Sequence, residues 1–101
     1  MAEVFPKYIV EDGSLIIGKC TFHKELAKDI TKVVGGGWFT YNRENNSFTF
    51  SGDSYDFGKA TYEQVKDCFS NGKVFDRGGY REMSKEHQFF YNTGTKIKPL
   101  N

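Results

Sequence analysis

Three consecutive glycines, Gly35-Gly36-Gly37, run straight into Trp38-Phe39-Thr40-Tyr41, and no other stretch constrains the fold of this chain as much. Glycine inside a strand pattern marks a bulge or a close backbone approach. The only tryptophan follows at once. Beyond residues 42–47, Phe48 and Phe50 alternate with Ser47, Thr49 and Ser51, the period-2 pattern of a strand with one wet face. Residues 38–41 and 48–51 therefore predict a hairpin. The glycines have two readings. They break or bulge the strand as architecture, which is the heavier reading, or they mount an exposed Trp38 that stacks on a ligand or docks a partner.

Upstream, Asp12-Gly13 separates Tyr8-Ile9-Val10 from Leu15-Ile16-Ile17. Asp-Gly between apolar runs signals a type I′ hairpin, which needs positive φ at both central positions. Strands are expected at residues 6–11 and 14–20, with Pro6 near an edge or a strand start. Leu26 and Ile30 at i, i+4 suggest a short helix over residues 21–30, too short to support itself. Thr31 to Val34 is β-branched at three of four positions and begins the next strand. Residues 52–58 read as a polar loop.

One helix is well marked, at residues 62–70. Thr61 and Gln64 form a capping box, Tyr62, Val65, Cys68 and Phe69 share a face, and Asn71-Gly72 supplies a left-handed stop. Strands follow at residues 73–75 and 86–91, and residues 96–101 read as a flexible tail in which Pro99 discourages pairing. The sum is one α+β domain: a small, mostly antiparallel sheet of about five to six strands with one main helix (residues 61–71) on a face.

At 101 residues with 17% aromatics, the chain can bury a ring-rich core without a metal or disulfide. Fourteen basic and thirteen acidic residues leave no basic excess for phosphate binding. Residues 71–101 alone hold six bases against three acids. The start lacks the apolar run of a signal peptide, and nothing approaches a membrane span. The expectation is a cytoplasmic protein with two free thiols, Cys20 and Cys68, and no membrane partner.

No motif carries catalysis. The glycine run lacks the Gly-Lys-Ser/Thr ending of a phosphate loop. Asp56-Phe57-Gly58 spells a kinase motif without the rest of a kinase. Asp53 and Asp56 lack calcium-loop spacing. Cys20-x-x-His23 with Cys68 and His87 supplies only one close zinc pair, and His87 beside Phe89 and Tyr91 reads as structural. Catalytic residues, metal and cofactor are each expected to be none. The leading expectation is a non-enzymatic binding protein whose partner is another protein or a second copy of itself. Its tentative contact residues are Trp38, Tyr41 and Tyr55, because aromatic rings are enriched in interfaces, together with Arg77, Tyr80 and Arg81 of the basic and aromatic C-terminal third. The alternative is single-stranded nucleic-acid binding by the basic and aromatic C-terminal third. A thiol enzyme using Cys20 or Cys68 with a histidine ranks below both.

Overall fold

Asp12 and Gly13 both take positive φ, 51° and 78°, and so close the hairpin that the Asp-Gly pair predicts. The strands are β1 (Phe5–Glu11) and β2 (Ser14–Cys20), in register from Glu11↔Ser14 to Phe5↔Cys20. A computed structural model describes residues 5–52, 54, 57–77 and 87–101. Those residues form one curled, mixed but mostly antiparallel sheet with the helix α1 (Tyr62–Ser70) on a face, an α+β fold. Besides β1 and β2, the strands are β3 (Val33–Asn42), β4 (Ser47–Gly52), β5 (Val74–Asp76), β6 (Gln88–Asn92) and β7 (Ile97–Pro99). Their order is β5-β2-β1-β3-β4-β6-β7. No helix among the described residues is long and apolar enough to cross a membrane.

The helix forms where its caps predict. The Thr61 hydroxyl accepts from the Gln64 N–H at 3.2 Å, and the Gln64 side chain accepts from the Thr61 N–H at 2.9 Å. Val65 and Cys68 are buried from the helix side. They meet Tyr8, Val10, Leu15 and Ile17 of the first hairpin and Phe39, Phe48, Phe50, Phe89 and Tyr91 beyond it. Ring pairs tie the layers together: Phe50 to Phe69 at 5.8 Å, Phe69 to Phe89 at 4.6 Å, Phe48 to Phe89 stacked at 5.5 Å.

The glycines do not break β3. The strand runs through them, and the register skip lies at Val34, between Val10↔Gly35 and Glu11↔Val33. Close backbone approach is what requires glycine. The Gly36 N–H donates to the Gly58 carbonyl at 3.0 Å, and the Ala60 N–H donates to the Gly36 carbonyl at 3.3 Å. Residues 58–60 thus take over the edge of β3 where β4 ends. A Cβ on Gly35 would lie 2.8 Å from the Ala60 nitrogen, and one on Gly36 would lie 2.6 Å from the Tyr8 carbonyl oxygen.

Three expectations change. Residues 21–30 form only a 3₁₀ turn at His23–Leu26, with a second at Ile30–Lys32, and Ile30 is exposed rather than paired with Leu26. The turn is fixed from the sheet instead. The Lys7 ammonium donates to the carbonyls of Cys20 and Thr21 at 2.9 and 2.7 Å, and the Glu11 carboxylate accepts from the Lys28 and Asp29 N–H groups at 2.9 and 3.2 Å. Strands β5 and β6 pair parallel, to β2 and β4, because each returns across the sheet rather than through a hairpin. Residues 96–101 are not a free tail. Ile97–Pro99 pairs with β6, Leu100 is 2% exposed, and its N–H donates to the Phe89 carbonyl at 2.7 Å. Pro99 is tolerated because β7 is an edge strand.

Candidate functional site

Alternation along the strands gives the sheet two faces of opposite chemistry. One carries Phe39, Phe48, Phe50, Phe89 and Tyr91 toward α1. On the other, Leu26 of the 21–32 connection covers Ile9, Ile16 and Cys20 of β1 and β2. The rest of that second face belongs to β3, β4, β6 and β7. Register sets its rows: Trp38, Ser51, Asn92 and Ile97, then Thr40, Thr49, Phe90 and Pro99, then Asn42, Ser47 and Gln88. Ser47 is buried, Thr49, Ser51 and Phe90 are half-buried, and the others are exposed.

Trp38 anchors this face. It is 40% exposed, yet its ring is held from below. Phe5 meets it edge-on at 5.6 Å and His23 at 5.9 Å, while the Lys7 Nζ lies over it at 4.6 Å. His23 is itself placed by Nε2, 2.9 Å from the Gly37 carbonyl oxygen and donating to it. Lys7 is buried, so its charge is a fixed part of the mount, attracted to the negative faces of Trp38 and Phe5. An exposed ring with little freedom left to lose is a pre-ordered contact.

The tentative contact residues separate. Tyr41 points to the helix side, stacked on Phe48 at 4.6 Å and edge-on to His87 at 5.7 Å. Arg77 follows β5, three strands from β3; its N–H donates to the Ile17 carbonyl and its Nη1 to the Leu26 carbonyl, both at 2.9 Å. Tyr55, Tyr80 and Arg81 lie outside the described residues. Trp38 instead has Phe5, Lys7, His23, Thr40, Thr49, Ser51 and Phe90 for company. The wet side of the 47–51 alternation was the signal for Thr49 and Ser51. The places of Lys7 and Phe90 depend on strand pairing that the sequence does not display.

The sulfur and imidazole residues fall on both sides of the sheet. Cys20 and His23 belong to the Trp38 side, whereas Cys68 packs in the helix-side core and His87 meets Tyr41 and Phe48 there. They cannot converge on one ion. Burial pushes the Cys20 thiol up, against the opposing pull of Lys7, and burial pushes Cys68 up to about 11. An attacking thiolate needs the reverse. No protein-family model, curated protein or solved structure matches the chain.

Proposed function

We propose that the protein is a binding module that engages a macromolecular partner through the open face of β3, β4, β6 and β7, with Trp38 at its centre. One observation carries this reading: the only indole of the chain is 40% exposed while Lys7, Phe5 and His23 hold its ring in place. An aromatic side chain whose burial would be favourable is presented to solvent in a fixed pose, as the anchors of interfaces are. Burial that raises the thiols of Cys20 and Cys68 weighs against a thiolate nucleophile, and Arg77 is tied to backbone carbonyls beside β2 and the 21–32 connection.

Because Trp38 is the only tryptophan, acrylamide quenching of its fluorescence reports this surface alone. Quenching between that of a free indole and that of a buried one is expected in dilute protein, since the ring is 40% exposed. A second copy as partner would lower quenching as concentration rises, with a dimer in the native mass spectrum. A protected indole in a protein that stays monomeric on dilution would remove the face as a contact surface.

A further inference from the structure

We propose that the partner is an uncharged, hydroxyl-rich polymer, a neutral glycan laid across the rows that contain Trp38 and Phe90. The inference rests on the reading of this face as the binding surface and names its ligand class. Its first support is an absence of charge among the described strand residues of the face. Asp, Glu, Lys and Arg make up 27% of the chain, and surfaces are where such residues ordinarily lie. Yet none of the eleven side chains that β3, β4, β6 and β7 present on this face is ionisable. Phosphate, sulfate and uronate ligands need cations. Lys7, whose ammonium lies at the Trp38 ring, is buried and donates to two carbonyl oxygens. A cationic ligand would meet an indole that already holds an ammonium 4.6 Å from its ring.

The second support is the mixture of groups. Trp38, Phe90, Ile97 and Pro99 are interspersed with Thr40, Thr49, Ser51, Gln88 and Asn92 rather than gathered into an apolar patch. The side chains of Thr40, Thr49, Ser51 and Gln88 bond no other described residue. Asn92 uses only its Oδ1, which accepts from the Gly94 N–H at 2.8 Å, leaving its amide donors. Covering such hydroxyls with an apolar surface would leave them buried and unpaired, which is unfavourable for each one. The partner must therefore bring donors and acceptors at high density together with apolar faces. Sugar rings do both: their C–H faces stack on an indole or phenyl ring, and their hydroxyls pair with threonine, serine and amide groups. Trp38 and Phe90 lie two strands apart, roughly 10 Å across the sheet, so one sugar ring does not reach both and an oligomer does.

The test uses the whole chain on an array of neutral, sulfated and uronate-containing oligosaccharides, followed by Trp38 fluorescence titrations with the glycans that bind and with an oligothymidine. Binding to neutral oligosaccharides is expected, nearly unchanged up to about 0.5 M NaCl, where phosphate or sulfate contacts would have weakened. Read on the array, because it removes the fluorophore, Trp38→Ala should weaken binding by about tenfold or more, the scale of one lost stacked ring. Thr49→Val keeps shape and fold and removes one hydroxyl, and it should also weaken binding with an unchanged melting temperature. Binding confined to sulfated glycans or to oligothymidine, or self-association as the only event that alters Trp38 fluorescence, would overturn the glycan and leave the binding face standing. No response of Trp38 to any of these probes would overturn the glycan, and an indole that is also protected from acrylamide in the monomer would overturn the face as well.

Discussion

Replacing Tyr8 by phenylalanine removes a hydroxyl that the fold buries without a partner. Tyr8 is 0% exposed, its ring meets Phe50 edge-on at 5.2 Å, and its oxygen accepts and donates no hydrogen bond among the described residues. A buried hydroxyl in that condition costs about 1–3 kcal/mol relative to one in water. The void left by one oxygen is smaller than a methyl group and costs less than about 1 kcal/mol. Tyr8→Phe should therefore stabilise the protein by about 1 kcal/mol, which for a domain of this size raises Tm by roughly 4–8 °C. Tyr91→Phe is the control, because the same atom is lost with the opposite sign. The Tyr91 hydroxyl donates to the Ala60 carbonyl at 2.5 Å, and leaving that acceptor unpaired should cost about 1–3 kcal/mol.

Urea unfolding followed by circular dichroism measures both variants, and an unchanged m-value certifies that only stability moved. An independent check comes from pH. Burial, reinforced by Tyr91, raises the Tyr8 phenol far above its ordinary 10.0. The folded chain then keeps a proton that the unfolded chain releases, so this contribution is intact below pH 10 and declines as pH rises beyond it. Tyr8→Phe should lose less stability above pH 10 than the parent. If Tyr8→Phe were destabilised by 1 kcal/mol or more at constant m (about the value of one net hydrogen bond), the hydroxyl would have a partner and the reasoning would fail.

Two further outcomes test the architecture. Gly35→Ala forces a Cβ to within 2.8 Å of the Ala60 nitrogen, backbone that cannot swing aside, so a loss of about 2 kcal/mol or more is expected in the same urea assay. Stability equal to the parent would show that residues 58–60 do not dock on β3. Both thiols should stay unmodified by iodoacetamide in the native protein at pH 8, since burial raises Cys20 and brings Cys68 to about 11. Rapid alkylation of either one in mass spectrometry would return a thiol mechanism to consideration.

Short-range chemistry was legible in the residue order. Asp12-Gly13 closes its hairpin, and Thr61 and Gln64 cap α1, because the atoms involved sit within a few residues of one another. Alternation at 47–51 assigned Phe48 and Phe50 to the core and Thr49 and Ser51 to the wet side. Lys7 and Glu11 show the limit of that method. As charges four residues apart on one face of a strand they resemble solvated residues, yet both are buried and pin the backbone of residues 20–21 and 28–29. Nothing local distinguishes a lysine facing water from one facing two carbonyls.

The sequence by itself determined the class of fold, one helix on a ring-lined, largely antiparallel sheet, because hydrophobic period and turn chemistry are local properties. Only the tertiary structure decided what the glycine run is for and where Trp38 points. The glycines admit the backbone of residues 58–60 and the Tyr8 carbonyl, approaches made by segments distant in the chain. Trp38 is held outward by Lys7, Phe5 and His23, and strand pairing aligns Thr40, Thr49, Ser51, Phe90 and Asn92 beside it. Such a face exists only after loop closure has brought four strands together.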